Sequence, residues 1–358
     1  MKNIRNEYRT PWLWSAPSDL IFILSPPFLV SILVIALPQL FHNDADTTPL
    51  LWLILVLGID VSHVYSTLYK TYFDNQEWKE NKTLYLALPG IAMAASVILY
   101  SMSPMFFWRV LAYIAVFHFA RQQYGFMRLY SRYETFNVWN KRIDSLMIYS
   151  ATVFPMLYWH FSGPKNFQWF TENDFLFVEA PALIPWLYAL YFFVLSIYIA
   201  KEIKFSLQHG FNWPKNLLIA GTVLSWYLGI VVFDGDLTFT ALNVVSHGVP
   251  YMALIWMYGK KKNDRLADAD RSWLKIVFGK TGILIFILSL LMFAYLEEGL
   301  WDAWVWQDHE ILFPFFHTVL TPLHSAEALS IIVPLLTLPQ LTHYLLDGFI
   351  WKIKQEEK

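Results

Sequence analysis

Apolar residues in this chain gather into ten runs, near residues 18–41, 49–70, 83–101, 104–128, 142–161, 180–200, 215–233, 237–259, 276–296 and 325–351, separated by short polar connectors. About twenty mostly apolar residues suffice for a helix to cross a hydrocarbon core roughly 30 Å thick. The pattern therefore predicts an all-α polytopic membrane protein with about ten transmembrane helices. Residues 311–324 form a further apolar piece that holds two prolines and is too short to cross, so it reads as interfacial or re-entrant. Residues 1–17 are too aromatic and too charged for the start of a cleaved signal peptide and read as a cytosolic and interfacial lead-in. With no internal repeat and no long linker, residues 1–358 are expected to form a single integral-membrane domain.

Composition agrees: 56% of residues are hydrophobic and 15% are charged, against roughly 25% charged in an average soluble domain. An ordinary soluble protein is excluded. Mean hydropathy reaches only +0.39 because 17 Trp and 20 Tyr score as polar, although their rings suit the membrane interface. A net charge of -2 gives no reason to expect a nucleic-acid partner. The absence of cysteine excludes disulfides, thiolate-bound metals and iron–sulfur clusters, and leaves 10 His as the main soft ligands. Lys and Arg are retained on the cytoplasmic side of membrane proteins. Placing Lys70, Lys201, Lys215, the 260–275 cluster and the other alternate connectors inside puts 22 of the 26 cations there and both termini in the cytoplasm.

Ionisable groups at membrane depth are costly and usually face the bundle interior. Four histidines meet that description. His63, His118, His247 and His343 lie about 14, 14, 10 and 18 residues into the second, fourth, eighth and tenth runs, which at about 1.5 Å per residue is a single layer within boundary error. All four runs are even-numbered, so the helices would be parallel. Polar neighbours stand at helical spacing: Asp60 and Thr67 around His63, Arg121 and Gln122 after His118, Asn243 before His247, and Gln340 and Asp347 around His343. Asp60 and Asp347 could each orient a metal-bound imidazole, for His63 and His343 respectively. A single mid-span His is more often an interhelical hydrogen-bonding group than a ligand. Four at one depth favour a shared metal site, and several imidazoles with few carboxylates suit Fe(II), Cu or Zn rather than Mg or Ca.

Glu297, Glu298, Asp302, Asp308, His309, Glu310, His317 and His324 form a second polar group, expected to be a solvated outer loop or else an entrance or weak metal site. His42, His160 and His209 fall at span ends, and Trp226, Tyr227 and Trp256 read as core packing. HxxxH and HxxHH boxes, GxGxxG, P-loop, GxSxG and HExxH motifs are all absent, which argues against desaturase-type, nucleotide-dependent, serine-hydrolase and zincin chemistry.

Four segments taken in order, GIDVSHVYSTLYKTYFD (58–74), FHFARQQYGF (117–126), NVVSHGVPYMALIW (243–256) and LTLPQLTHYLLDGFIW (336–351), resemble those of the bacterial Brp/Blh family of membrane β-carotene 15,15′-dioxygenases. The likeness implies a bacterial inner-membrane enzyme in which His63, His118 and His247 ligate Fe(II). Dioxygen and a hydrophobic substrate from the bilayer would be its partners, and a carotenoid cleaved to an aldehyde such as retinal its specific reaction. The family's fourth ligand, four residues after the third, is Tyr251 here. Either His343 completes the set or three protein ligands remain. Two other readings stay open: a proton- or metal-ion transporter using the His layer, and a bis-His haem protein.

Overall fold

The computed structural model describes residues 11–41, 48–134, 137–163, 165–265 and 273–351, which are helices and connecting loops with no strand among them. Every predicted apolar run contains a helix. In chain order they are α1 (Ala16–Leu24 and Pro26–Ala36, bent by 46°), α2 (Pro49–Lys70), α3 (Asn75–Met102), α4 (Pro104–Tyr130) and α5 (Val138–Phe161). There follow α6 (Pro181–His209), α7 (Trp213–Val232), α8 (residues 236–265), α9 (Ile283–Trp306) and α10 (Ala326–Ile350). By length and composition α2, α3, α6, α7, α9 and α10 are long and apolar enough to cross a membrane, and α1 is a seventh if its halves form one span. Large apolar side chains such as Ile91, Trp186, Phe193 and Leu288 are exposed. In water such a surface would be an aggregation liability, whereas lipid would cover it.

Local chemistry sets the helix starts. Thr48 and Ser103 stand directly before Pro49 and Pro104, and their hydroxyls accept from the Leu51 and Phe106 amides, both at 3.3 Å. This joins the capping residue to the proline favoured at the first helical position. Asp74, Asn137, Asn212 and Ser325 likewise cap α3, α5, α7 and α10 with a side-chain oxygen that accepts from a backbone amide of the first turn.

Sequence periodicity does not reveal that several helices contain π-helical stretches, at Leu20–Leu24, Leu53–Val61, Tyr227–Val232, Thr240–Val244 and Asp302–Trp306. A π turn holds extra residues and re-aims everything after it. Two of these stretches end just before His63 and His247. Helices α2, α8, α4 and α10 pack in a closed ring, each against the next. The α2–α8 seam is close because Gly248 has no side chain: a Cβ there would meet Ile59 Cγ2 at 2.8 Å and His63 Cβ at 3.4 Å.

Three lysines assigned to cytoplasmic connectors are buried. Lys70 pairs with Glu77 at 2.6 Å, and Lys201 and Lys215 sit in an ion network with Glu134, Asp144 and Glu202. The connector at 311–324 contains the short helix Pro314–Val319, whose Phe316 ring packs so closely on Gly299 that a Cβ there would lie 2.4 Å away. His42 and the cations at residues 2, 5, 9, 271, 352, 354 and 358 lie outside the described residues.

Candidate metal centre

The ring of α2, α4, α8 and α10 brings His63, His118, His247 and His343 together. One nitrogen from each lies within 4.8 Å of the others, and all four side chains are buried. The rings meet edge to face around a square, with centroids 4.8 Å apart for His63–His247, 4.9 Å for His247–His118, 4.6 Å for His118–His343 and 5.0 Å for His343–His63.

Hydrogen bonds determine which nitrogen faces inward. His63 Nδ1 is 3.2 Å from the Ile59 carbonyl and His343 Nδ1 is 2.7 Å from Thr67 Oγ1. Their Nε2 atoms are left buried with no hydrogen-bond partner, as is Nδ1 of His247. His118 Nε2 and His247 Nε2 stand 3.2 Å apart. Flat contacts fix two rings in place: Phe119 stacks on His247 at 3.7 Å and Tyr344 on His118 at 4.6 Å.

The arrangement fits a single metal ion. Imidazole nitrogens bind zinc-like ions at about 2.0–2.1 Å, so two on opposite sides of one ion would stand about 4.2 Å apart. Separations running from 3.2 Å to at most 4.8 Å require only small inward shifts. Among the described residues this is the one group of His, Asp and Glu side chains placed to hold an ion, and its all-nitrogen donor set suits Fe(II), Cu or Zn.

The polar neighbours are distributed differently from expectation. Asp60 Oδ1 is 3.9 Å from His63 Nδ1, too far for a hydrogen bond, and the Ile59 carbonyl takes that place. Asp347 faces His118 Nδ1 at 3.7 Å instead of its own helix's His343, and its Oδ1 accepts from Trp351 at 2.7 Å. An i+4 spacing puts Asp347 on the right face, but the ring next to that face belongs to α4. Thr67, one turn after His63, is the partner of His343. Arg121 is exposed and bonds Tyr149 Oη at 2.7 Å, pointing away from the centre toward α5. Asn243 lies in the π turn and aims its amide at α7, donating to the Ser225 carbonyl at 3.4 Å, where Gly229 makes room. Gln122 donates to the His247 carbonyl at 2.9 Å and so ties α4 to α8. Tyr251 is fully buried beside His343, and its hydroxyl shares a hydrogen bond with Thr67 Oγ1 at 3.1 Å. Phe119, Tyr344 and Gln123 were not singled out from sequence, although Phe119 and Tyr344 directly follow His118 and His343, each stacking instead on the imidazole of a neighbouring helix.

The second polar group is not simply a solvated loop. Asp302 is buried, accepting from the Asp308 and His309 amides at 2.9 and 2.8 Å and facing His317 Nε2 at 2.7 Å. This closes the C-terminal turn of α9, while Glu310 and His324 are exposed. Glu297 accepts from Tyr65 Oη. His160 faces Tyr113 Oη at 2.8 Å, and His209 stacks on Phe205.

Two apolar grooves open on the flanks of the bundle. One of about 920 Å³ runs between α1, α6 and α7, and none of its lining residues belongs to the centre. A smaller one of about 420 Å³ lies between α3, α4 and α10, where Ile114 is one turn before His118 and Leu341 and Leu345 flank His343. No protein-family model, curated protein or solved structure matches the chain, so function must be read from its own side chains.

Proposed function

We propose that the chain is a ten-span protein with both termini cytoplasmic, sited in a bacterial inner membrane, in which α2, α4, α8 and α10 run parallel and bind one iron ion through His63, His118, His247 and His343. Its activity would be oxygenation of a hydrophobic molecule entering from the bilayer, with carotenoid cleavage to an aldehyde as the specific form. One observation carries the reading: two of the four buried imidazoles keep an Nε2 without any protein partner beside the other two. A hydrogen-bonded layer would leave those atoms unsatisfied at a cost of about 1–3 kcal/mol each, whereas coordination satisfies them.

Iron bound there would supply the activation of dioxygen toward a carbon–carbon double bond. The protein's part is to hold, orient and dry the site. His343 coordinating through Nε2 carries its proton on Nδ1 and donates it to Thr67 Oγ1, which fixes tautomer and ring plane. Phe119 and Tyr344 cover the flat faces of His247 and His118 and exclude water from them. The groove between α3, α4 and α10 offers an apolar molecule an approach to the α4 and α10 ligands. Haem is disfavoured, since four rings within 5.0 Å of their neighbours leave no width for a macrocycle.

A transporter is the second reading. It is favoured by Asp60, whose side chain keeps 29% of its surface exposed beside the buried His63, with Glu297 and Glu298 within electrostatic reach. Carboxylates at such depth often mark ion paths. Metal analysis of the detergent-purified chain together with proton and metal flux in proteoliposomes separates the two. Stoichiometric iron without flux supports the oxygenase. Flux, or a preparation that is active yet free of transition metal, removes it.

A further inference from the structure

The stretch of α8 around His247 is an unusually weak piece of helix. The π turn Thr240–Val244 precedes it, Gly248 follows directly, and Pro250 stands three residues on. Glycine in a helix interior costs roughly 0.5–1 kcal/mol relative to alanine. Proline removes one rung of the hydrogen-bond ladder, because it has no N–H to give to the carbonyl four residues earlier. For Pro250 that carbonyl belongs to Ser246, the residue next to His247.

A donor from another helix supplies the missing bond. Gln123 Nε2 on α4 donates to the Ser246 carbonyl at 3.3 Å, and the neighbouring Gln122 Nε2 donates to the His247 carbonyl at 2.9 Å. The Gln123 amide is itself held by Thr222 on α7, whose hydroxyl donates to Gln123 Oε1 at 3.2 Å. The Ser246 carbonyl can only accept, which turns the amide nitrogen toward α8, and Thr222 shares its one hydroxyl hydrogen between Gln123 Oε1 and the Leu218 carbonyl at 2.9 Å. All of these side chains are buried. The same device recurs at Pro89 in α3, where the freed Tyr85 carbonyl accepts from Tyr72 Oη at 2.8 Å.

We propose that Gln123, held by Thr222, is a positioning residue that replaces the donor lost at Pro250 and, with Gln122, clamps His247 at its 3.2 Å separation from His118. The inference rests on the metal reading for its consequence and on the hydrogen bonds alone for its mechanism. Both glutamines sit on α4, the helix that carries His118, so they tie two of the four imidazoles into one unit. An amide clamp also permits a π turn and a proline beside a ligand, two features that would otherwise let the ring wander.

The test is a suppressor experiment on the full-length chain in detergent. Gln123→Leu removes the donor, and Pro250→Ala restores an N–H that can bond the Ser246 carbonyl within α8. Amide hydrogen exchange over residues 247–254 is measured without metal, and Co²⁺ affinity is measured by visible absorption. Gln123→Leu should exchange faster and bind Co²⁺ at least about ten-fold more weakly, in the range seen for outer partners of metal ligands. The Gln123→Leu/Pro250→Ala double variant should recover both. Should Gln123→Leu fail to fold, Thr222→Val leaves the glutamine in place but frees its amide, and the smaller changes it causes should again be suppressed by Pro250→Ala.

Wild-type exchange in Gln123→Leu, or equally fast exchange in the double variant, overturns the clamp. Faster exchange with unchanged Co²⁺ affinity overturns its role in positioning His247. If wild-type chain binds no Co²⁺ while the exchange pattern and its suppression are as expected, the metal reading fails and the clamp stands as a helix brace.

Discussion

Two buried polar assemblies in this protein have opposite designs. At one end of α5, α6 and α7, Lys201 and Lys215 interlock with Asp144, Glu134 and Glu202, and every charge has an opposite charge within 4 Å. Asn216 and Tyr198 extend the network through hydrogen bonds at 2.8 and 2.7 Å. In the ring of α2, α4, α8 and α10, four imidazoles of like character face one another, and His63 and His343 each keep an Nε2 with no protein partner. In the first assembly every charge is answered within the chain, and even Asp144 Oδ2, which lacks a hydrogen bond, has Lys215 Nζ 3.9 Å away. The second is complete only with something added. Burial of polar groups alone does not separate structure from function; what separates them is whether unsatisfied atoms converge.

The largest expected effect lies in the ion network. Lys215→Met leaves three acids with one lysine, and removing one partner of a buried ion pair typically costs about 3–5 kcal/mol. Thermal unfolding in detergent should show this loss, while metal content per folded chain stays unchanged. A parallel drop in metal per folded chain would mean the two regions are not independent.

The reverse pattern should hold at the histidines. His343→Ala should lower metal affinity as much as His63→Ala does, with little loss of stability, as read by metal analysis after gel filtration. Full metal retention by His343→Ala would reduce the site to His63, His118 and His247. Thr67→Val and Asp347→Asn remove outer contacts to His343 and His118, and each should weaken metal affinity by roughly 10–100-fold without abolishing it. Because Asp347 stands 3.7 Å from His118, the Thr67 change should be the larger of the two. Tyr251→Phe should keep its metal and lose the hydroxyl's hydrogen bonds to Thr67 and Asp347, about 0.5–1.5 kcal/mol of stability for each. Loss of metal from Tyr251→Phe would bring the phenol into the coordination set.

The smallest effect concerns pH. Burial among α4, α5 and α7 pushes the Glu134 carboxyl above its ordinary 4.5, with Lys215 pulling it back. A carboxyl raised in the folded state binds its proton more tightly there than in the unfolded chain. Its contribution is fully present below about pH 4.5 and is lost as pH rises through the higher folded value. Glu134→Gln should flatten that decline in a series of unfolding midpoints, and an unchanged slope would assign the pH dependence to another group.

Much of the centre was legible from spacing alone. The positions of His63, His118, His247 and His343 along apolar runs predicted one layer, and the structure gathers them. Sequence could not say which neighbour serves which ring. Spacing at 3.6 residues per turn assumes a regular helix, and the π turn at Thr240–Val244 carries Asn243 away toward α7. It also treats each helix alone, whereas Asp347 meets His118 and Thr67 meets His343 across helix seams. Gln123 gave a signal only in combination with Pro250, through a carbonyl on a different helix.

The most direct test is X-ray absorption at the metal edge of purified, metal-replete protein, with metal per chain counted on the same sample. The account predicts one transition-metal ion per chain with imidazole nitrogens at about 2.0–2.2 Å, a shell that loses nitrogen scattering in His63→Ala and in His343→Ala alike. A chain that carries no stoichiometric metal, or a metal whose shell is indifferent to both substitutions, would contradict it.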